Sequence, residues 1–209
     1  MNDALRELKH GTQAHHAEAE RHVQILDDAA TVATYERYLR RMLGFHAPME
    51  ERFARHAELE ALGFDAAARR KQQLLRADLV TLGSVTPEVY CRALHDTADL
   101  ASAIGAAYVI ESATLGGRFI LRRLPARLRH LSGVATAFLE GYGAATGAMW
   151  RRFAAVAHQG LSDAAARQRA IESAQATFMR LTTWLDEPAA PAPRPFRALH
   201  RLRSSEARS

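Results

Sequence analysis

Cysteine is almost absent: Cys91 stands alone among 209 residues. One thiol cannot close an intramolecular disulfide or build a multi-cysteine zinc site, and it fits a reducing cytoplasm. Long apolar runs are missing too. No stretch reaches the ~18 residues of a membrane-crossing helix. The first twelve residues, MNDALRELKHGT, carry charges where a secretory signal carries an apolar core. Lysine occurs only at Lys9 and Lys71, so arginine supplies nearly all the positive charge. Period-2 apolar alternation bounded by turn signals is lacking, so no strand is predicted. No repeat recurs at solenoid spacing.

What is present describes a folded chain. Hydrophobic residues make up 48% and charged residues 24%, an ordinary balance for one globular domain. A net charge of +5 and a pI of about 9.9 suggest nucleic acid at first sight. Location changes that reading. Beyond Glu187, five arginines face only Glu206, so residues 188–209 hold four of the five net charges and residues 1–187 hold one. The expected organisation is a helical domain over 1–187 and a Pro/Arg-rich basic tail over 188–209, disordered by composition. The nearly neutral body offers no obvious docking patch.

Alanine, leucine and arginine favour helix. The predicted helices are 3–26, 32–57, 64–82, 87–95, 97–124, 133–158 and 162–186. Thr86-Pro87-Glu88 reads as a helix start, and Ser162-Asp163 caps the last helix. Gly160 closes the helix before it, Pro48 should kink or divide the second, and Pro125 ends the fifth.

Two helices carry unusual patterns. In the first, Thr12, His16 and Glu20 lie four apart and so stack in one column beside an apolar stripe of Leu5, Leu8, Ala19 and Val23. A metal-ligating imidazole usually has an outer carboxylate that fixes its tautomer, and this column supplies one. His15 is the rival, with Glu18 three residues on. In the fifth, Gly116-Gly117 interrupts a segment otherwise helical, at about 1 kcal/mol per glycine relative to alanine. Without Cβ atoms a backbone can approach a flat ligand, or another helix, closely.

Together these stretches resemble the heme oxygenase family, particularly its bacterial, biliverdin-producing branch, the phytochrome-associated type included. Leu8-Lys9-x-x-Thr12-x-x-x-His16-x-x-x-Glu20 is similar to that family's proximal-helix motif, and Tyr108-Val109-Ile110-Glu111-Ser112-Ala113-Thr114-Leu115-Gly116-Gly117 to its distal-helix motif. Ala166-Arg167-Gln168-Arg169-Ala170-Ile171-Glu172, followed by Ala176-Thr177-Phe178, is a third match, and the three stand in the family's order.

The resemblance implies an all-α, single-domain, multi-helical bundle holding heme between the first helix and a kinked, glycine-containing distal helix. It implies His16 as the proximal iron ligand, Glu20 orienting it, and Thr12 on the same cofactor-facing stretch. Gly116 and Gly117 let the distal helix lie close above the porphyrin. Lys9 is placed to pair with a heme propionate, Arg151 and Arg152 are further propionate candidates, and Phe178 packs near the pocket. The implied reaction opens heme to biliverdin, carbon monoxide and ferrous iron, using O2 and electrons from a separate reductase, ferredoxin or small reductant. A bilin-accepting photoreceptor is a further implied partner, and a cytoplasmic, bacterial setting goes with it. Ser112-Ala113 departs from the family pattern: bacterial relatives often carry Gly-Ser there, and some carry an aspartate at the position of Ala113. Glu111 is adjacent but turned by about 100° on the helix, and should face elsewhere.

Three other functions compete. One is a non-catalytic heme carrier or sensor of the same fold. Another is a thiaminase-like helical enzyme, which would want a cysteine nucleophile, whereas Cys91 reads as a buried filler. The last is a nucleic-acid binder using the arginine tail, with no folded basic face to support it.

Overall fold

The computed structural model describes residues 3–84 and 88–187. Among them there are helices, short 3-10 turns and connecting segments, and no strand. The helices are α1 (Asp3–Gly11), α2 (Gln13–Arg21), α3 (Val32–Ala54), α4 (Ala57–Ala61), α5 (Gln72–Thr81), α6 (Leu100–Arg123), α7 (Ala137–Glu140), α8 (Thr146–Gly160) and α9 (Ala164–Asp186). No described helix is long and apolar enough to cross a membrane. The expected tail over 188–209 and the Thr86-Pro87 helix start lie outside the described residues.

The bundle is organised around α6. Asp99 caps it by accepting from the Ser102 amide at 3.1 Å, and Arg122 and Arg123 close it where the helix dipole favours cations. Between Ala101 and Ala107 every residue but Ser102 is buried, and all but Ile104 are small. This lets α9 cross closely: a Cβ built at Gly105 would sit 2.1 Å from the Ala170 carbonyl oxygen. Asp163 caps α9 through the Ala166 amide at 2.8 Å, as the sequence suggests. At the other end Trp184 Nε1 donates to the Arg41 carbonyl at 2.7 Å and ties α9 to α3.

Five expectations about helices need correction. The first predicted helix is two, α1 and α2, broken at Thr12. Residues 64–82 are helical only from Gln72, and residues 133–145 hold only short turns and α7 before α8 begins. Pro48 does not divide α3: the helix runs from Val32 to Ala54 with Pro48 inside. The fifth correction follows from this one. Proline has no N–H for the carbonyl four residues back. That carbonyl, Gly44 O, instead accepts from the Cys91 amide at 2.9 Å. The segment 88–95, expected to be helical, is without regular structure and is tied to α3 by this bond. Gly44 permits the approach, since a Cβ there would lie 2.2 Å from Val89 O. Cys91 is buried, as its filler role requires, and burial pushes its thiol pKa up.

Candidate functional site

The break at Thr12 sets the geometry. Thr12 is 1% exposed and its hydroxyl donates to the Leu8 carbonyl at 2.7 Å. Its side chain also meets the phenol of Tyr108 on α6, a group whose pKa burial raises. Here the two helices touch. His16 on α2 has 49% of its side chain exposed. On α6, Ser112, Leu115, Gly116 and Phe119 share one helical face with Tyr108. A Cβ added at Gly116 would meet nothing within 4 Å. Leu115 and Phe119 are exposed although apolar, as is Met179 on α9. The Arg123 guanidinium lies 4.5 Å from the centre of the Phe119 ring.

The structure brings His16, Glu20 and Phe178 together. Glu20 Oε1 lies 3.6 Å from His16 Nδ1, an ion-pair distance rather than a hydrogen bond, so the other ring nitrogen stays available. Phe178 of α9 is buried and meets the His16 ring edge-on, with centroids 5.7 Å apart. His15 is half-buried, with Nδ1 shielded from water and lacking a hydrogen-bond partner. Lys9, Arg151 and Arg152 are exposed. Ser112 is half-buried and its hydroxyl donates to the Val109 carbonyl at 3.0 Å, while Ala113 is half-buried beside it. Among the described residues no cluster of three or more His, Cys, Asp or Glu could hold a bare metal ion.

Gly117 does not belong to this open face. Its missing Cβ would sit 2.5 Å from the Leu139 carbonyl of α7, so it serves helix packing. The expectation that both glycines cover one ligand is thereby corrected: Gly116 faces open space and Gly117 faces protein. Substitution should separate them. Gly116→Ala is expected to raise the unfolding free energy of the ligand-free chain by up to about 1 kcal/mol, the helix propensity gained. Gly117→Ala is expected to lower it by about 1–3 kcal/mol through overpacking. Thermal melts of the two variants check this.

Glu111 faces away from the open side, as expected, and a cluster that sequence gives no sign of receives it. It is 3% exposed; its Oε2 is 2.5 Å from Arg69 Nη1, and its Oε1 accepts from the Tyr142 hydroxyl at 2.7 Å. Arg69 also donates to the Met149 carbonyl of α8 at 3.2 Å. Lys71 lies with its ammonium 3.3 Å from the centre of the Tyr142 ring, and burial pushes its pKa down to about 8. Burial, reinforced by the charge of Glu111, raises the Tyr142 phenol. Another feature missed is a run of exposed arginines beyond the open face: Arg118, Arg122, Arg123, Arg127 and Arg129, none in an ion pair among the described residues. The body thus carries a basic patch that its near-zero net charge concealed.

An all-helical fold that exposes an imidazole on one helix and, just past the Thr12–Tyr108 contact, a glycine facing open space on another suits a flat ligand that needs one nitrogen donor. A family model described as Heme oxygenase matches residues 2–187. A heme oxygenase of Xanthomonas campestris pv. campestris (strain 8004) is 36% identical over 158 residues, covering 76% of this chain and 92% of that protein. The NO- and CO-bound heme oxygenase of Neisseria meningitidis aligns with a TM-score of 0.69 at 22% identity, over 93% of this chain and 98% of that one. That likeness bears on the fold. The chain belongs to the heme oxygenase family.

Proposed function

We propose that this chain is a heme oxygenase that holds heme between α2 and the open face of α6, with His16 as the proximal ligand of the iron. The observation that carries the site assignment lies just beyond the Thr12–Tyr108 contact: a half-exposed imidazole at His16 on α2, and open space around Gly116 on α6. When bound, heme supplies the iron at which O2 is activated and is itself opened to biliverdin, carbon monoxide and ferrous iron.

The chain's residues do the positioning. His16 presents the ring nitrogen away from Glu20, and Glu20 favours a proton on Nδ1. Phe178 restrains the imidazole plane by its edge-on contact. Ser112 and Gly116 leave room above the ligand, while Leu115 and Phe119 give it apolar cover that excludes water. Lys9, Arg151 and Arg152 are exposed where they could meet carboxylates, which a guanidinium can bind bidentately, although one Arg152 nitrogen donates to the Met149 sulfur. Ala113 offers no carboxylate to order water, so the Ser112 hydroxyl is the nearest polar side-chain group on that face.

Electrons come from outside, from a reductase, ferredoxin or small reductant: a single cysteine cannot hold an iron–sulfur centre, and among the described residues there is no strand to build a nucleotide-binding fold. The unpaired arginines between Arg118 and Arg129 support an acidic donor. A bacterial, cytoplasmic setting and delivery of the bilin to a photoreceptor complete the reading. An absorbance time course tests it: hemin should bind one to one with a Soret band, and ascorbate should convert that spectrum into a bilin's. Stable binding with no ring opening would leave a carrier or sensor instead.

A further inference from the structure

The geometry points to Glu111, with Arg69 and Tyr142, as a positioning device that sets the rotation of α6 about its own axis and so the placement of Ser112 and Gly116 over the ligand. This rests on the reading of the site given above.

Ala101, Ala103, Ala106 and Ala107 of α6 are buried and small, beside the larger Ile104. The alanine faces pack closely but do little to index a helix against rotation, because they resemble one another. Glu111 provides the index. It leaves α6 about 100° from Ser112, and both its oxygens are taken by groups on separate segments. Arg69 belongs to the connection before α5, and its guanidinium stacks 4.6 Å from the Phe64 ring centre while bridging to Met149 of α8. Tyr142 belongs to the turn after α7, and the same turn presses on α6 one helical turn away: a Cβ on Gly141, at φ +60°, would sit 2.5 Å from Thr114 Cγ2. Lys71 covers the Tyr142 ring, and its Nζ donates to the Arg69 carbonyl at 3.2 Å. A buried ion pair of this kind is weak evidence for added stability; its better-attested effect is to select one arrangement. The tolerance is small. Turning α6 by about 15° shifts each Cα by roughly 0.6 Å, on a Cα radius of about 2.3 Å, and productive geometry is held to within about 0.5 Å.

The test uses the full chain loaded with hemin. Tyr142→Phe removes one bond to Glu111 and little volume; Glu111→Gln removes the charge and can keep both contacts. Three readings are taken: the infrared stretch of carbon monoxide on the reduced complex, the isomer composition of the bilin, and the thermal midpoint. The expected result is hemin affinity within about threefold of wild type, a shifted or split CO band, and at least a twofold change in the ratio of bilin isomers. An unchanged CO band and isomer ratio in Tyr142→Phe, however far the midpoint falls, overturns the proposal and leaves the cluster a structural one. Should Glu111→Gln fail to fold, Tyr142→Phe decides alone. A wild-type chain that takes up no hemin overturns the site reading too; a wild-type chain that turns hemin over and is matched by both variants overturns only the positioning role.

Discussion

Hemin added to His16→Ala is expected to show a displaced, weakened Soret band and an affinity more than tenfold below wild type. Millimolar imidazole should restore much of the band. Removing an outer-shell partner of a metal ligand typically costs about 10–100-fold, and removing the ligand itself should cost at least that. Glu20→Ala should fall between wild type and His16→Ala. His16 is half exposed and contributes little packing beyond its edge contact with Phe178, so the variant should unfold within about 0.5 kcal/mol of wild type. That separates loss of a ligand from loss of a fold. His15→Ala is the control. If it, and not His16→Ala, abolishes the Soret band, the ligand is misassigned.

Gly105→Val should be the most damaging single substitution in the bundle. The new Cβ would meet Ala170 O at 2.1 Å, Ala170 C at 2.9 Å and Ala170 Cα at 3.0 Å. These are backbone atoms of α9 and cannot swing aside as a side-chain tip can. The two longest crossing helices must separate, at a cost of about 3 kcal/mol or more. For a chain of this size that is roughly 6–12 °C in the thermal midpoint. The damage should reach the site. Phe178 and Gly116 sit on the separated helices, so hemin affinity should fall along with stability. A Gly105→Val chain melting within about 2 °C of wild type would refute this account of the α6–α9 crossing, since the assumed cost could not then exist.

The sequence revealed the helical class because composition and the lack of alternation are summed over many residues. It singled out His16, Glu20 and Phe178 because family motifs carry them, and the structure sets the three side by side. What it missed depends on partners distant along the chain. Val89 and Cys91 look helical locally, but Gly44 O, freed by Pro48, takes the Cys91 amide from 47 residues away. Asp78 looks like an ordinary surface acid, yet it is buried and accepts from the amides of Ala137 and Phe138, the start of α7. Glu111 gave one local hint, a carboxylate within an apolar helix, but nothing in its spacing names Arg69 or Tyr142. The two glycines had opposite roles for the same reason: one residue along a helix is a different neighbour in space.

The short helix bearing His16 has no buried residue of its own. It is joined to α1 through the Thr12 break, and at its far end His22 bridges Glu18 and Asp186 at 3.0 and 2.8 Å. Little apolar area resists its lifting, so its amides should exchange with solvent well before those of α6 or α9. A chain that opens its own bound pigment must discharge a more flexible product at every turnover. With His16 as the proposed iron ligand, the wall that would grip the iron is also the one with least to hold it down, and fraying there would let the spent tetrapyrrole depart without loosening the rest of the bundle.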